Sequence, residues 1–213
     1  MSTSSTPATP TYEVRFLGSA GSIDWTRANL LAEFDFPWED REAPETTFRA
    51  LWSDTALHFR FDCVDDDLVL AEGADDREKV IGSDRVEIFL TPDLSLSPYY
   101  CLEMDPRGAL LDYRGRFHRE FDWSWSCPGL ELDQEIEGNR YSVEGTLPLE
   151  TLRALSVLAP GSREMHAGIY RAEFSTNPDG STNHGWIAWV DPGTPRPDFH
   201  VPASFGRLRL VDG

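Results

Sequence analysis

The sequence predicts an all-β protein, an antiparallel β-sandwich of the immunoglobulin-like or jelly-roll kind with one short helix. Short runs in which apolar and polar residues alternate recur along the whole chain, and turn-forming residues separate them. No strand–helix–strand unit occurs, which argues against a parallel α/β sheet. With 213 residues, 40% of them hydrophobic, the chain suits one domain with a sizeable core.

The first twelve residues, MSTSSTPATPTY, are rich in Ser, Thr and Pro and are predicted to form a disordered tail before a single domain at 13–213. They lack the basic start and apolar centre of a secretion signal, and no run of about 18 apolar residues follows. As written, the sequence therefore predicts a cytoplasmic protein. An extracellular location stays open if a leader has been removed.

Two hairpins are the clearest strand signals. Thr47–Trp52 and Ala56–Asp62 flank a turn at 53–55, and Leu130–Ile136 and Arg140–Leu147 flank a turn at 137–139. The other predicted strands are Glu13–Leu17, Arg85–Thr91, Tyr99–Asp105, Ala109–Arg114, His166–Ser175, Gly185–Val190 and Gly206–Val211.

One segment, Pro148–Leu155, predicts a helix of about two turns, because a Pro starts it and a Glu lies in its first turn. Four stretches remain that show neither the apolar–polar alternation of a strand nor the apolar spacing of a helix. They are longer than plain connections, so we expect them to carry function or bind ions. These loops are Ile23–Thr46, Val64–Ser83, Gly115–Gly129 and Asn177–Ser204.

The net charge of −18 excludes whole classes of partner. Nucleic-acid binding depends on Lys and Arg that neutralise phosphates, and anionic membranes attract basic segments, so neither partner is expected. The negative charge is better explained by a role in solubility, by binding of a cation or by binding of a neutral polar ligand such as a sugar. The three cysteines, Cys63, Cys101 and Cys127, have no metal-binding or disulfide spacing and are expected to be free thiols.

Several local patterns occur in an ordered series between residues 20 and 211. They include LWSDTALH at 51–58, DRVEIFL at 84–90, EMDPRG at 103–108, IAWVDP at 187–192 and FHVPASFGRL at 199–208. In this order they resemble the family 9 carbohydrate-binding modules and their family 9-like relatives. The resemblance implies a sandwich that binds sugars, with calcium often bound as a structural ion.

In the sugar-binding members of that family, two Trp residues from separate loops hold the sugar ring between them. The corresponding positions fall near Ile81 and Phe199, and neither is Trp. A polar residue of the binding face corresponds to Glu87, and Glu103 replaces a neighbouring Arg. The resemblance therefore implies the family's fold, with a different set of side chains for the ligand.

Strand alternation predicts a ligand-binding face. If the strands are neighbours, alternation can bring Glu87, Glu103, Arg171, Glu173 and Trp189 onto one concave surface. Charged groups hydrogen-bond sugar hydroxyls, and an aromatic ring packs on the C–H face of a pyranose. Three residues from the neighbouring loop regions are expected to border this face: Trp186, Phe199 and His200. A solvated face with Glu–Arg cross-strand pairs is the alternative.

An acidic run, Asp65, Asp66 and Asp67, is predicted to hold calcium. Calcium takes six to eight oxygen ligands, and adjacent carboxylates in a packed loop need a cation or a proton. An ordinary charged loop is the alternative, since screening by salt makes the repulsion tolerable in water.

The predicted function is therefore non-catalytic binding of a sugar or glycan. Two alternatives stay open. Glu87 and Glu103 could serve as the acid and base of a glycoside-processing enzyme, or the chain could be a structural or partner-binding accessory domain. The oligomeric state and the identity of the sugar are not determined by the sequence.

Overall fold

Twelve strands and two α-helices form the regular structure in a computed structural model that describes residues 9–18 and 22–212. The strands are β1 (Thr11–Phe16), β2 (Thr46–Trp52), β3 (Ala56–Val64), β4 (Arg85–Thr91), β5 (Tyr99–Met104), β6 (Leu110–Arg116), β7 (Glu120–Asp122), β8 (Glu131–Glu137), β9 (Arg140–Pro148), β10 (Glu164–Thr176), β11 (Thr182–Ala188) and β12 (Gly206–Val211). The helices are α1 (Asp76–Gly82) and α2 (Leu149–Ala154), and short 3-10 turns cover Trp25–Arg27 and Pro202–Ser204. Neither α-helix is long or apolar enough to cross a membrane.

The strands form one mixed sheet, in the order β7-β6-β5-β4-β10-β12-β1-β2-β3-β9-β8, with β11 added beside β10. Most neighbours are antiparallel, but β1 pairs in parallel with both β12 and β2. The predicted antiparallel sandwich is therefore imprecise: it holds for most strand pairs but not for the two pairs of β1. Two parallel strands cannot be joined by a tight hairpin. The long connection between β1 and β2 lets the chain return to the same end of the sheet, so that the two strands can run in parallel.

The sheet curls so that its two halves share one core. Phe48 and Phe59, from β2 and β3, belong to the same buried cluster as Ile88, Leu102 and Ile169, from β4, β5 and β10. The predicted sandwich thus takes the form of a single sheet that folds over on itself. Inward-facing residues of both halves fill the space between them, as expected for packed sheets.

The opposite face of β4, β5 and β10 is covered as well. Phe89, Cys101 and Tyr170 form a second buried cluster there with Phe199 and Phe205 from the segment before β12. Every residue of β4 is buried in consequence. This second layer is the part of the fold that positions the candidate site.

All eleven strands predicted from the sequence overlap observed strands, and α2 lies inside the predicted helix. Three features differ. A second helix, α1, lies in a segment predicted as loop, and β7 is an additional short strand. Residues 1–8 of the predicted tail lie outside the described residues, but Thr11 and Tyr12 at its end belong to β1. Tyr12 is buried in the core, and its hydroxyl donates to the Asn29 carbonyl and accepts from the Ala50 amide.

Candidate functional site

A cavity of about 380 Å³ opens above the second buried cluster. We name it the Arg85 pocket after the residue at the centre of its floor. Strands β4, β5, β6 and β11, the chain around β7 and the 197–200 segment all contribute to its lining. Its volume lies within the range of about 300–1,000 Å³ that is typical of small-molecule sites.

The floor is built on two neighbouring strands. Glu87 of β4 and Glu103 of β5 are directly opposite in register, so both side chains point to the same face. Arg85 Nε donates a hydrogen bond to Glu103 Oε2 at 2.8 Å and lies 2.9 Å from Glu87 Oε1. The Tyr113 hydroxyl donates to Glu103 Oε1 at 2.7 Å. The floor is thus a connected ionic network rather than a set of solvated charges.

Burial and repulsion from Glu103 both act on the Glu87 carboxyl. Glu87 is only 2% exposed. Desolvation by burial, followed by repulsion from Glu103, raises the pKa of Glu87 from 4.5 to about 8, although the Arg85 cation opposes the shift. Near neutral pH the Glu87 carboxyl therefore holds a proton. The same burial raises the pKa of Tyr113 well above its ordinary value, so its hydroxyl remains a donor.

Aromatic rings line the walls in two groups. On one side Tyr113, Phe121 and Trp123 contact one another, with ring centres 4.7–5.0 Å apart. On the other side Trp186 packs edge to face with Phe199 at 6.1 Å, and the Arg85 guanidinium lies 5.3 Å from the Trp186 ring centre. The Trp123 side chain is 41% exposed. The Arg77 guanidinium lies 3.9 Å from the Trp123 ring centre, so one face of the ring is covered and part of its apolar surface remains exposed beside the pocket.

The rim is held together by Asp198. Its carboxylate accepts from His118 Nε2 at 2.7 Å and from Arg119 Nη1 at 3.1 Å, and its Oδ1 also accepts from the His200 amide at 3.0 Å. Burial, with help from the Arg119 charge, lowers the pKa of His200 to about 3. His200 is therefore neutral in the pocket, where its Nδ1 shares a hydrogen bond of 2.9 Å with Tyr99 Oη.

The structure brings five of the seven predicted ligand-binding residues together. They are Glu87, Glu103, Trp186, Phe199 and His200. Ile81 also lines the pocket, so both positions implied by the family resemblance, Ile81 and Phe199, lie at this site.

Arg171 and Trp189 lie elsewhere, and their placement on this face was wrong. The residue of β10 that pairs with Glu87 is Tyr170, so Arg171 points to the opposite face. Arg171 pairs in turn with Ile187, which belongs to the main core, and Trp189 packs against that core. Because β10 is buried on both faces, alternation alone does not show which of its faces carries the site.

Arg171 instead lies in an acidic cluster formed by Asp65, Asp84 and Glu173. Carboxylate oxygens of these three residues lie within 4.8 Å of one another. Arg171 Nη2 contacts Asp65 Oδ2 at 3.0 Å and also pairs with Glu173. Desolvation by burial and then repulsion from Asp65 raise the pKa of Asp84 to about 8, and desolvation raises the pKa of Glu173 to about 7.

The predicted calcium run is split by the fold. Asp65 is buried in the acidic cluster, while Asp66 and Asp67 are exposed. Asp66 accepts from Asn139 Nδ2 at 2.8 Å, and Asp67 accepts from the Thr176 amide at 2.5 Å. The three consecutive residues therefore do not form one set of ligands. The grouping of Asp65 with Asp84 and Glu173 could not be predicted from the sequence, because the three residues are far apart along the chain.

Sequence reasoning missed Arg85, Tyr113, Arg119, Phe121 and Asp198. Arg85 carried a usable signal, since it lies two residues before Glu87 on the same strand and therefore on the same face. The other four belong to β6, to β7 and the residues just before it, and to the 197–200 segment. The approach of these segments to β4 depends on tertiary packing, which local patterns do not encode.

The comparisons with known proteins agree with this fold. The family model for the carbohydrate family 9 binding domain-like proteins matches residues 20–213. A candidate carbohydrate-binding protein from Bacteroides uniformis ATCC 8492 superposes with a TM-score of 0.76 at 18% identity, covering 96% of this chain and 100% of that one. A search of curated proteins gives no match.

A family 9 carbohydrate-binding module from Caldicellulosiruptor kristjanssonii also has this fold. Its complex with glucose gives a TM-score of 0.59 at 15% identity and covers 96% of this chain and 97% of that chain. Its complex with cellotriose gives 0.61 at 14% identity, with coverage of 96% and 95%.

Proposed function

Because the chain belongs to the carbohydrate family 9 binding domain-like family, we propose that it is a non-catalytic module that binds a carbohydrate in the Arg85 pocket. The observation that carries the proposal is the combination of aromatic walls with a charged, hydrogen-bonded floor. A pyranose has apolar C–H faces and a polar edge. The pocket offers a matching partner for each.

The two kinds of contact contribute differently. Aromatic rings such as Trp123 and Trp186 remove apolar sugar surface from water without demanding one orientation of the hydroxyls. Hydrogen bonds to charged groups, here Glu103 and Arg85, are worth about 1.5–3 kcal/mol each and depend on geometry. Affinity is therefore assigned mainly to the walls and specificity mainly to the floor.

The sugar complexes of the similar module support a carbohydrate as the class of ligand, but they do not identify the sugar that this chain binds. The Caldicellulosiruptor kristjanssonii module was solved with glucose and with cellotriose. This chain has Ile81 and Phe199 at the positions expected for the two sugar-holding Trp residues, while Trp123 and Trp186 line the pocket from other segments. We infer that these two Trp residues supply the stacking surface, which makes a different sugar preference the natural expectation.

A glycan array followed by calorimetry tests the proposal, with Trp186→Ala and Trp123→Ala as the site variants. We expect each variant to weaken binding of the selected saccharide about tenfold or more, as for central aromatic contacts in other interfaces. Trp25→Ala is the matched control, because Trp25 lines a separate groove beside β8 and β9. Absence of binding to every saccharide would favour the accessory-domain hypothesis instead.

Hydrolysis by Glu87 and Glu103 stays an alternative that one assay addresses. Glu103 accepts hydrogen bonds from both Arg85 and Tyr113, and this arrangement serves ligand binding without a chemical step. We expect no turnover of aryl glycosides. Turnover that disappears in Glu87→Gln would replace the binding proposal with an enzymatic one.

We further propose that calcium binds the acidic cluster. Three carboxyl groups face one guanidinium there, and burial raises the pKa of Asp84 to about 8 and that of Glu173 to about 7, so protons offset part of the charge when no ion is bound. A calcium ion would take the place of those protons, and carboxylate oxygen is the ligand type that calcium prefers. The two Asp84 oxygens accept the amides of Val69 and Phe174, which fixes the carboxylate in place. Arg171 would remain as a counter-ion beside the metal.

Thermal melts with calcium and with a chelator test the ion. The melting temperature is expected to rise with the logarithm of calcium concentration, because only the folded state holds the cluster. Asp84→Asn should abolish this rise, while Asp66→Asn, a matched change at an exposed neighbour, should keep it. Equal melting temperatures in calcium and chelator would contradict the proposal.

A further inference from the structure

With both carboxyls ionised, the floor of the Arg85 pocket would carry one more negative than positive charge. Arg85 is the one cation that contacts Glu87 and Glu103 among the described residues, and it faces two carboxylates with one Nε–H group. The other cation that lines the pocket, Arg119, is paired with Asp198 at the rim. The floor therefore has room for one further positive charge.

One oxygen of Glu87, Oε1, also lacks a hydrogen-bond donor among the described residues. The Arg85 Nε–H group is directed at Glu103, so Glu87 Oε1 keeps the charge contact but makes no hydrogen bond. Neighbouring donors are used elsewhere: the Tyr113 hydroxyl donates to Glu103, and the Tyr170 hydroxyl, on the strand paired with Glu87, donates to Ser204. A buried carboxyl without a donor is costly, and a ligand that supplies one removes this cost.

We propose that the ligand of this pocket is an amino sugar whose free ammonium group binds against Glu87, an inference that rests on the proposed carbohydrate function. An ammonium group supplies both missing elements, a positive charge and N–H donors. The net charge of −18 attracts such a ligand over longer range. The aromatic walls suit it too, since ring faces attract cations, and the Arg77 guanidinium already lies 3.9 Å from the Trp123 ring centre.

The groups around Glu87 define how the charge is balanced. Arg85 and Glu103 contact it or face it on the floor, while His200 in the same pocket stays neutral because burial lowers its pKa to about 3. In the free protein a proton on Glu87 balances the excess charge, because burial raises its pKa to about 8. The ammonium group would take over that role, so binding would release the proton.

Calorimetry with matched sugars tests the inference. Glucosamine, galactosamine and mannosamine are compared with the parent hexoses and with the N-acetylated forms at pH 6.5, where the ammonium is charged. We expect at least one free amine to bind about tenfold or more tightly than its parent hexose and its N-acetyl form, as expected for a charged hydrogen bond. In Glu87→Gln the affinity ratio of amine to hexose should fall to about one.

A charge-matched control variant and a measurement of proton release test the role of Glu87 independently. Glu135→Gln removes one negative charge from the exposed part of β8 and should leave the affinity ratio unchanged. For the unmodified protein, the binding heat of the amine should differ between buffers of different ionisation enthalpy, because a proton leaves Glu87. This second test applies even if Glu87→Gln fails to fold.

Each outcome separates the two proposals. Hexoses that bind as well as or better than their amines would overturn the amino-sugar inference and leave carbohydrate binding intact. An unchanged ratio in Glu87→Gln, or a binding heat that is independent of the buffer, would also overturn it. No binding of either kind of sugar would overturn the amino-sugar inference, and the glycan array would then decide separately whether the pocket binds any other saccharide.

Discussion

At the scale of single residues, Arg85 organises the candidate site. It lies on the floor beside Glu87 and Glu103, and its Nη1 atom is within 3.3–3.4 Å of the carbonyls of Val80, Ile81 and Ser83 at the end of α1. The same side chain thus balances the pocket charge and anchors a helix. A buried ion pair of this kind becomes costly when one partner is removed, because the other charge is left uncompensated.

Replacing Arg85 by Met is therefore expected to lower the free energy of unfolding by about 3–5 kcal/mol. The loss should be smaller at pH 5 than at pH 8, since the pKa of Glu87 is raised to about 8 and a protonated Glu87 leaves no uncompensated charge there. Urea unfolding at the two pH values measures it. Arg140→Met is the control, because its exposed pair with Glu45, at 3.5 Å, is worth at most about 1 kcal/mol. Equal losses in the two variants would contradict this account of Arg85.

At the scale of elements, β10 supports both layers of the molecule. Its residues alternate between Ile169 and Arg171, which face the core side, and Tyr170, which lies under the pocket. Gly168 is required beside Tyr170: a Cβ there would lie 1.9 Å from the Tyr170 hydroxyl oxygen and 2.3 Å from its ring carbon Cζ. The absence of a side chain lets the ring lie flat on the strand and stack on Phe199 at 4.0 Å.

Gly168→Ala is accordingly expected to destabilise the protein by about 1–3 kcal/mol, the usual cost of overpacking a core. It should also weaken ligand binding, because Tyr170 must move against Phe199 at the pocket wall. Gly180→Ala tests a glycine whose added Cβ would meet nothing within 4 Å, so any loss there comes from its backbone φ of 83° alone. Unchanged binding in Gly168→Ala would show that β10 does not position the wall.

The same strand explains how far the sequence predicts the site. Period-two patterns located the strands, since each depends only on near neighbours, and Glu87 with Glu103 followed from them. Arg171 and Trp189 were assigned to the wrong face because two-sided burial makes alternation ambiguous. Helix α1 was missed although Asp75 caps the Glu78 amide at 2.9 Å, a spacing that is visible in the sequence but weak in a short polar segment.

At the scale of the whole molecule, buried acids dominate the expected dependence of stability on pH. Burial raises the pKa of both Glu87 and Asp84 to about 8 in the folded state. The ordinary values are 4.5 and 3.8, so between about pH 5 and 8 the folded protein holds protons that the unfolded chain releases. The free energy of unfolding must then fall as the pH rises through this window.

We expect a slope of about 1.4 kcal/mol per pH unit for each retained proton, largest between pH 5 and 7. Urea unfolding at pH 5, 6, 7, 8 and 9 in the presence of a chelator measures it. Saturating calcium should flatten the part of the slope that comes from Asp84, since the ion replaces its proton. A stability that is constant or rises from pH 5 to 8 would contradict the assigned burial of these acids.

The proposed function requires a saccharide to bind between the aromatic walls of the Arg85 pocket. A crystal structure of the protein with its best-binding saccharide tests this most directly. We expect a sugar ring in contact with Trp123 and Trp186, with its polar groups hydrogen-bonded to Glu87, Glu103 and Arg85 on the floor. A saccharide bound on any other surface, with this pocket occupied by water, would contradict it.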